Sequence, residues 1–167
     1  MDETMAAWMQ YAQPGEHHRF LRKLAGSWET RAKLWMQPGA PPVESSGSTV
    51  NELIMGGRFL RSDYSATFMD RPFQGMGLDG FDNQKRRYVG LWIDTMGTMM
   101  LTFEGEADPD GATRTMFADF VDAVTGKPSK MKGVTTIVSD DEHRYESWVE
   151  GAEGETFKTM EIVFTRR

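Results

Sequence analysis

The spacing of apolar residues along the chain changes once, at Gly26. Before this residue, two short segments place apolar side chains three and four positions apart, as on one face of a helix, and Pro14-Gly15 separates them. After it, apolar and polar residues alternate, as they do in a half-buried strand. The change predicts an N-terminal helical segment, residues 1–25, that packs on a β domain, residues 26–167.

About ten short segments after Gly26 alternate in this way, and turn-forming residues such as Gly56-Gly57 and residues 108–111 separate them. No helical pattern lies between the segments, so consecutive strands can pair as an antiparallel meander. A flat sheet of this size would leave long unpaired edges, and closure into a barrel removes them. We therefore predict one all-β antiparallel barrel of about ten strands, preceded by one or two short helices.

Gly75, Gly77 and Gly80 have the G-x-G-x-x-G spacing of a dinucleotide-binding turn. Such a turn needs a buried strand before the first glycine and a helix after the last one. Here Pro72 precedes the glycines, and the pattern after them is again that of a strand. We interpret the three glycines as part of a barrel strand. Gly75 and Gly77 project to one face, which predicts a sharp bend of the wall or room for an occupant.

The charge balance and the composition exclude several classes of function. The net charge of -6 repels phosphate backbones and argues against nucleic acid as a partner. The chain has no cysteine, which rules out disulfides, thiolate nucleophiles and zinc–thiolate sites. Its first ten residues are acidic where a signal peptide is basic, and no apolar run reaches the roughly 18 residues of a membrane span. We expect a soluble cytoplasmic protein with no membrane partner.

The first strand segment begins LAGSWET, residues 24–30, and the last one reads MEIVFTRR, residues 160–167. This G-x-W start combined with a basic final strand resembles the calycin superfamily, which includes lipocalins and fatty-acid-binding proteins. The resemblance implies that Trp28 packs across the closed end of the barrel against a basic side chain of the last strand. Arg166 is the matching residue in this sequence.

Further motifs follow in the same order: GGRFLRSDY, GLDGFDNQKRRYVGLWIDTMGT and TGKPSKMKGV. Together with the two ends, they are similar to a bacterial family called domain of unknown function 1579, from about residue 16 to the C-terminus. This resemblance implies a calycin-like barrel and no established activity. It leaves the function open.

The most apolar strand segment, residues 86–94, places Tyr88, Trp92 and Asp94 on one face. These residues are either ordinary core, with Asp94 capping the following turn, or the lining of a cavity with Asp94 as a polar anchor near its mouth.

Methionine is abundant, with thirteen residues in the chain. Met76, Met96, Met99, Met100 and Met116 lie in the middle of the barrel sequence. Their flexible thioethers suit an adaptable apolar pocket, and they suit ordinary core filling equally well.

Histidine and carboxylate groupings are sparse. His17 and His18 are adjacent and point in different directions on a helix, and His143 and Glu146 fall on opposite faces of a strand, so we expect no metal site. A haem-binding relative within the superfamily uses a histidine ligand, which makes His143 worth one test. We expect no cofactor.

An enzyme would need a general base held by an orienting partner. The candidates are Asp94, Glu146 and His143, with Tyr64 or Tyr88 as hydroxyl donors, and their spacing does not link them.

The sequence favours noncatalytic binding of a small apolar or amphipathic molecule in the barrel interior. The alternatives are an enzyme acting on a small hydrophobic substrate and an interaction module with a filled barrel. A homodimer is a further expectation, because Trp35 falls on the polar face of the first strand. The predicted lining residues are Phe59, Tyr64, Phe68, Met76, Tyr88, Trp92, Asp94, Met96 and Trp148.

Overall fold

The computed structural model describes residues 2–151 and 154–167. Within these residues it contains two α-helices, α1 (Glu3–Tyr11) and α2 (His18–Leu24), and a short 3-10 turn at Met55–Gly57. The ten strands are β1 (Gly26–Leu34), β2 (Val43–Ile54), β3 (Phe59–Phe68), β4 (Arg71–Asp82), β5 (Arg87–Asp94), β6 (Leu101–Ala107), β7 (Thr113–Val121), β8 (Pro128–Ser139), β9 (Glu142–Glu150) and β10 (Thr156–Arg166).

These ten strands form one closed antiparallel barrel in which each strand pairs with its neighbours in sequence. The barrel closes because β1 also pairs with β10, in a register that places Trp28 opposite Arg166 and Leu34 opposite Met160. This confirms the predicted fold class. The three spaced glycines all lie in β4, which pairs with β3 and β5. They are therefore strand residues, as predicted.

Helix α2 covers one end of the barrel, called here the closed end. Its residues Phe20, Leu21 and Leu24 are buried and share a cluster with Leu60 of β3 and Phe81 of β4. Burial of large apolar side chains stabilises this end by about 1.5–3 kcal/mol for each residue. The opposite end, called the open end, is bounded by the loops that follow β1, β3, β5 and β7.

Helix α1 begins after Asp2, whose carboxylate accepts a hydrogen bond from the backbone N–H of Thr4 at 3.1 Å. Its C-terminal end is attached to the barrel, because Asn83 Nδ2 donates to the carbonyl oxygen of Tyr11 at 2.8 Å. No residue of this helix is buried, and Trp8 is 64% exposed. Neither α1 nor α2 is long and apolar enough to cross a membrane.

The inner face of the barrel follows from the strand alternation. In β1, Trp28, Thr30 and Ala32 are buried, whereas Glu29, Arg31 and Lys33 between and after them are exposed. Cross-strand pairing extends this assignment to every strand, because paired residues point to the same side of the sheet. The lumen is the space enclosed by these inward-facing side chains.

Gly75 and Gly77 face inward, and their missing side chains make room for an indole. A Cβ atom on Gly75 would collide with Cζ2 of Trp92, and one on Gly77 would lie 3.3 Å from its Cε3. Trp92 is the cross-strand partner of Gly77. The occupant of this space is therefore a side chain of the neighbouring strand.

Candidate functional site

Not every inward-facing residue of the lumen is fully buried. Ser62 of β3 and Ile162 of β10 point inward at middle depth and are only partly buried, and so is Phe103 of β6, which packs against the closed-end cluster. The fully buried apolar cluster lies instead at the closed end, against α2. An accessible interior that is sealed at one end is the usual form of a site for a small molecule.

An aromatic group forms one wall of the lumen near the open end. The ring of Tyr64 is 5.9 Å from that of Phe73 and 6.3 Å from that of Trp92, both in edge-to-face orientation. The Tyr64 hydroxyl shares a hydrogen bond of 3.0 Å with Thr30 Oγ1 on the inner face of the barrel, past the intervening strand β2. Burial raises the pKa of Tyr64, so this hydroxyl stays protonated near neutral pH.

Asp94 lies at the mouth of the lumen, with both carboxylate oxygens engaged. Its Oδ2 accepts a hydrogen bond of 2.8 Å from Nε1 of Trp92, and its Oδ1 accepts one of 2.8 Å from the backbone N–H of Met96. The carboxylate therefore caps the turn after β5 and also orients the indole. The two roles considered for Asp94 in the sequence, turn cap and polar group at the mouth, are compatible.

A charged pair lies deeper in the lumen. Arg114 of β7 has a side chain that is only 7% exposed, and its Nη1 is 3.4 Å from Oδ1 of Asp79 in β4, whose side chain is 23% exposed. The guanidinium carbon lies 5.2 Å from the centroid of the Phe20 ring and 5.6 Å from that of Tyr88. Arginine is thus the more deeply buried partner, and the carboxylate is the more accessible one.

Tyr145 of β9 lies close to the same region. Its hydroxyl oxygen lies over Gly133, where a Cβ atom would be only 2.6 Å from it. Burial raises the pKa of Tyr145 to about 12, although the positive charge of Arg114 acts in the opposite direction. The hydroxyl is therefore a neutral group that can donate or accept a hydrogen bond.

The floor of the lumen is a plug around Trp28, which is fully buried. Its Nε1 donates to the Leu24 carbonyl oxygen at 3.0 Å, and the guanidinium carbon of Arg166 lies 4.1 Å from its ring centroid. Arg166 also donates from Nη1 to the carbonyl oxygen of Ala25 at 2.9 Å. Gly26, with φ 124°, leaves the space that this guanidinium occupies. The G-x-W motif is therefore a packing requirement.

His143 is enclosed in the same plug. Its ring stacks on Phe164 with centroids 4.2 Å apart and meets Trp28 edge to face at 4.3 Å. Burial, reinforced by the charge of Arg166, lowers the pKa of His143 to about 4, so it is neutral at pH 7. These contacts leave little access to the imidazole for an external group.

The other titratable candidates have structural partners. His17 stacks on Phe81 at 4.1 Å, and His18 Nδ1 accepts a hydrogen bond from the backbone N–H of Gly15 at 2.9 Å. Glu146 points outward and forms an ion pair with Lys158. In the described part of the chain, no group of three or more histidine, aspartate or glutamate side chains could hold a metal ion.

Several predicted lining residues do face the lumen. Tyr64, Phe68, Trp92 and Asp94 point inward toward the open end. Tyr88 also points inward, but it is 2% exposed and belongs to the closed end, where its hydroxyl donates to the His17 carbonyl oxygen at 3.0 Å.

Three predicted lining residues instead point outward: Phe59, Met76 and Trp148. Their apolar character matches that of a lining, but their strand face is opposite to that of the inward residues. Trp148 lies between the ammonium groups of Lys132 and Lys158, each 5.4 Å from its ring, in an outer groove of about 280 Å³. Met76 borders a second groove of about 450 Å³ beside β3, β4 and β5.

The clustered methionines lie in three environments, of which the outer face of β4, with Met76, is one. Met116 is buried in the closed-end cluster, whereas Met96, Met99 and Met100 lie in the loop after β5 and are 45–71% exposed. Met96 is therefore a residue of the open rim and not of the wall. The alternation between strand faces could not show this, because the three residues lie outside the strands.

Sequence reasoning also missed Asp79, Arg114 and Tyr145. One signal was present, since Asp79 has the same parity as Gly75 and Gly77 and therefore shares their inward face. The pairing with Arg114, 35 residues away, depends on the register of the closed barrel.

Taken together, these features define a class of protein: a single ten-stranded antiparallel barrel, plugged at one end by a helix and a buried tryptophan, with some inward-facing residues only partly buried. The chain belongs to the DUF1579 family, described as proteins of unknown function, and the sequence model of that family matches residues 13–166. This confirms the family resemblance noted in the sequence. No curated protein matches the chain.

Solved structures with a similar fold include that of Rv2717c from M. tuberculosis, with a TM-score of 0.68 and 17% identity over 93% of this chain and 99% of that one. Another is EF1p2_mFAP2b bound to DFHBI, with a TM-score of 0.50 and 12% identity over 91% of this chain and 100% of that one. At these identities the likeness concerns the fold alone.

Proposed function

We propose that this protein is a noncatalytic binding protein that holds a small apolar or amphipathic molecule in the lumen and admits it through the open end. The observation that carries the proposal is that Ser62 and Ile162, which point inward at middle depth, are only partly buried. A filled barrel would bury these side chains completely. The rings of Tyr64 and Trp92 offer an apolar wall beside the entrance.

The arrangement of titratable groups does not favour catalysis. Both oxygens of Asp94 are engaged, the Tyr64 hydroxyl is bonded to Thr30, and His143 is neutral and enclosed. None of these pairs joins a nucleophile to a general base. Binding without turnover is the simpler function of such an interior.

A matched pair of variants tests where the molecule binds. Ser62 points into the lumen and Ser65 points outward, into the groove of about 450 Å³. We expect Ser62→Phe to reduce the binding of the fluorescent apolar probe 1-aminoanthracene at least tenfold, since the ring occupies the lumen. Ser65→Phe should leave the affinity within about twofold.

The opposite pattern would place the probe in the outer groove and contradict the proposal. An unmodified protein that gives no fluorescence enhancement at micromolar concentration would favour the filled-barrel module instead. Far-UV circular dichroism and a thermal melt of both variants establish that each one is folded.

Two further expectations remain proposals. A homodimer through the open end rests on Trp35, which is half-buried there next to the exposed Met36. Sedimentation velocity tests it, and a single monomeric species at 100 μM or so would refute it. A cytoplasmic location also remains a proposal, which fractionation of source cells tests.

A further inference from the structure

The lumen contains very few formal charges. Across the inward positions of the ten described strands, Asp79 and Arg114 are the only Asp, Glu, Lys or Arg residues between the rim and the floor. The other inward-facing charges lie at the two ends of the lumen: Arg71 and Asp94 at the open rim, and Arg166 in the floor. A buried charge is expensive unless it is paired, and here the two opposite charges compensate each other.

The pair is built into the wall on both sides. A Cβ atom on Gly90 would lie 2.8 Å from Oδ1 of Asp79, so the glycine makes room for the carboxylate. Arg114 is backed by the rings of Phe20 and Tyr88.

Hydrogen bonding at the pair is incomplete. The buried Nε of Arg114 has no hydrogen-bond partner among the described residues. The contact of 3.4 Å to Asp79 is also long for a charge-assisted hydrogen bond, which is usually 2.7–2.9 Å. The pair can therefore accept a further polar group without losing a strong interaction of its own.

The charge of that polar group follows from the pair. A carboxylate placed beside it would be repelled by Asp79, the more accessible partner, and an ammonium group would be repelled by Arg114. Either ion would also give the lumen a net charge and would lose its hydration. An uncharged group that both donates and accepts hydrogen bonds satisfies the carboxylate and the free N–H without these costs.

We propose that the lumen selects an uncharged amphipathic molecule whose polar end, an alcohol or a primary amide, lies at Asp79 and Arg114 while its apolar part extends toward Tyr64 and Trp92. This inference rests on the proposed function, because it assumes that a molecule occupies the lumen. It goes further by naming the chemistry of the head group and the residues that hydrogen-bond to it.

Competition between three molecules of equal chain length tests the selection. 1-Decanol, decanoate and decylammonium are titrated against bound 1-aminoanthracene at pH 7.4. We expect decanol to displace the probe at a concentration at least tenfold lower than either ion, which corresponds to about 1.4 kcal/mol.

A variant that removes one charge of the pair then tests whether Asp79 sets the preference for an uncharged head group. Asp79→Asn leaves the charge of Arg114 uncompensated, so the affinity for decanoate should rise at least tenfold relative to the affinity for decanol. Asp63→Asn is the control, because it makes the same change in net charge on the outer face of the neighbouring strand. Its order of affinities should match that of the unmodified protein.

The outcomes separate this inference from the function on which it rests. A probe that does not bind at all overturns both. A probe that binds and responds to Ser62→Phe, combined with equal competition by the three molecules, overturns the head-group inference alone. An Asp79→Asn variant that folds and keeps the original order of affinities does the same. Should that variant fail to fold, the competition in the unmodified protein decides the question.

Discussion

Substitution of Trp28 by phenylalanine tests the plug that seals the closed end. The indole Nε1 hydrogen bond to Leu24 would be lost, at a cost of about 1 kcal/mol. The Leu24 carbonyl oxygen stays satisfied because Asn51 Nδ2 also donates to it, at 2.8 Å. A smaller ring under the guanidinium of Arg166 would weaken the cation–π contact by roughly 0.5–1 kcal/mol. The space left by the missing part of the indole would cost a further ~1–2 kcal/mol.

These three contributions lower the free energy of unfolding by about 3 kcal/mol. For a domain of this size, the melting temperature should fall by roughly 6–12 °C. Urea titration followed by far-UV circular dichroism measures the free energy, and a thermal melt measures the temperature.

Trp148 provides the matched control, because it points outward and is only partly buried between two lysines. Trp148→Phe should change the free energy of unfolding by less than about 1 kcal/mol. Equal effects of the two substitutions would show that Trp28 contributes no more than a surface tryptophan. The plug would then not be what holds this end together.

Two further predictions concern the wall of the lumen and the histidine of the plug. Gly75→Ala should displace the indole of Trp92, which lowers the free energy of unfolding by about 1–3 kcal/mol and shifts tryptophan emission to longer wavelength. Gly97→Ala is the control: a Cβ atom there meets no atom within 4 Å, so neither quantity should change. The pKa of His143 falls from 6.5 in the unfolded chain to about 4 in the folded one, so the unfolded chain binds the proton more tightly. The free energy of unfolding should therefore decline as the pH drops from 6.5 toward 4, by up to roughly 3 kcal/mol. His143→Gln should flatten this part of the stability–pH curve, and identical curves for both proteins would contradict the assigned environment.

The architecture was accessible from the sequence because strand alternation and turn residues are local signals. The alternation of Trp28, Thr30 and Ala32 is visible without any knowledge of neighbouring strands, and so is the strand character of the segment around Gly75 and Gly77. Closure followed from the number of strands and the cost of unpaired edges.

The site was less accessible because it depends on register between strands. The alternation in the sequence places Trp92 on the correct face, but its position over Gly75 and Gly77 follows only from the pairing of β4 with β5. Asp79 and Arg114 are far apart in sequence and meet only across the lumen. Phe59, Met76 and Trp148 are as apolar as the inward residues, and only their parity in the strand separates them from the lining.

The pairing of β1 with β10 has a consequence for synthesis of the chain. One edge of β1 acquires its partner only when the final residues, ending at Arg166, leave the ribosome. Until then the nascent sheet exposes a strand edge that could join another chain, and the register from Trp28 to Leu34 must wait for the longest-range contact in the fold. The indole of the first strand and the guanidinium of the last can meet only after both strands have been synthesised, and their contact lies at the seam that closes the ring.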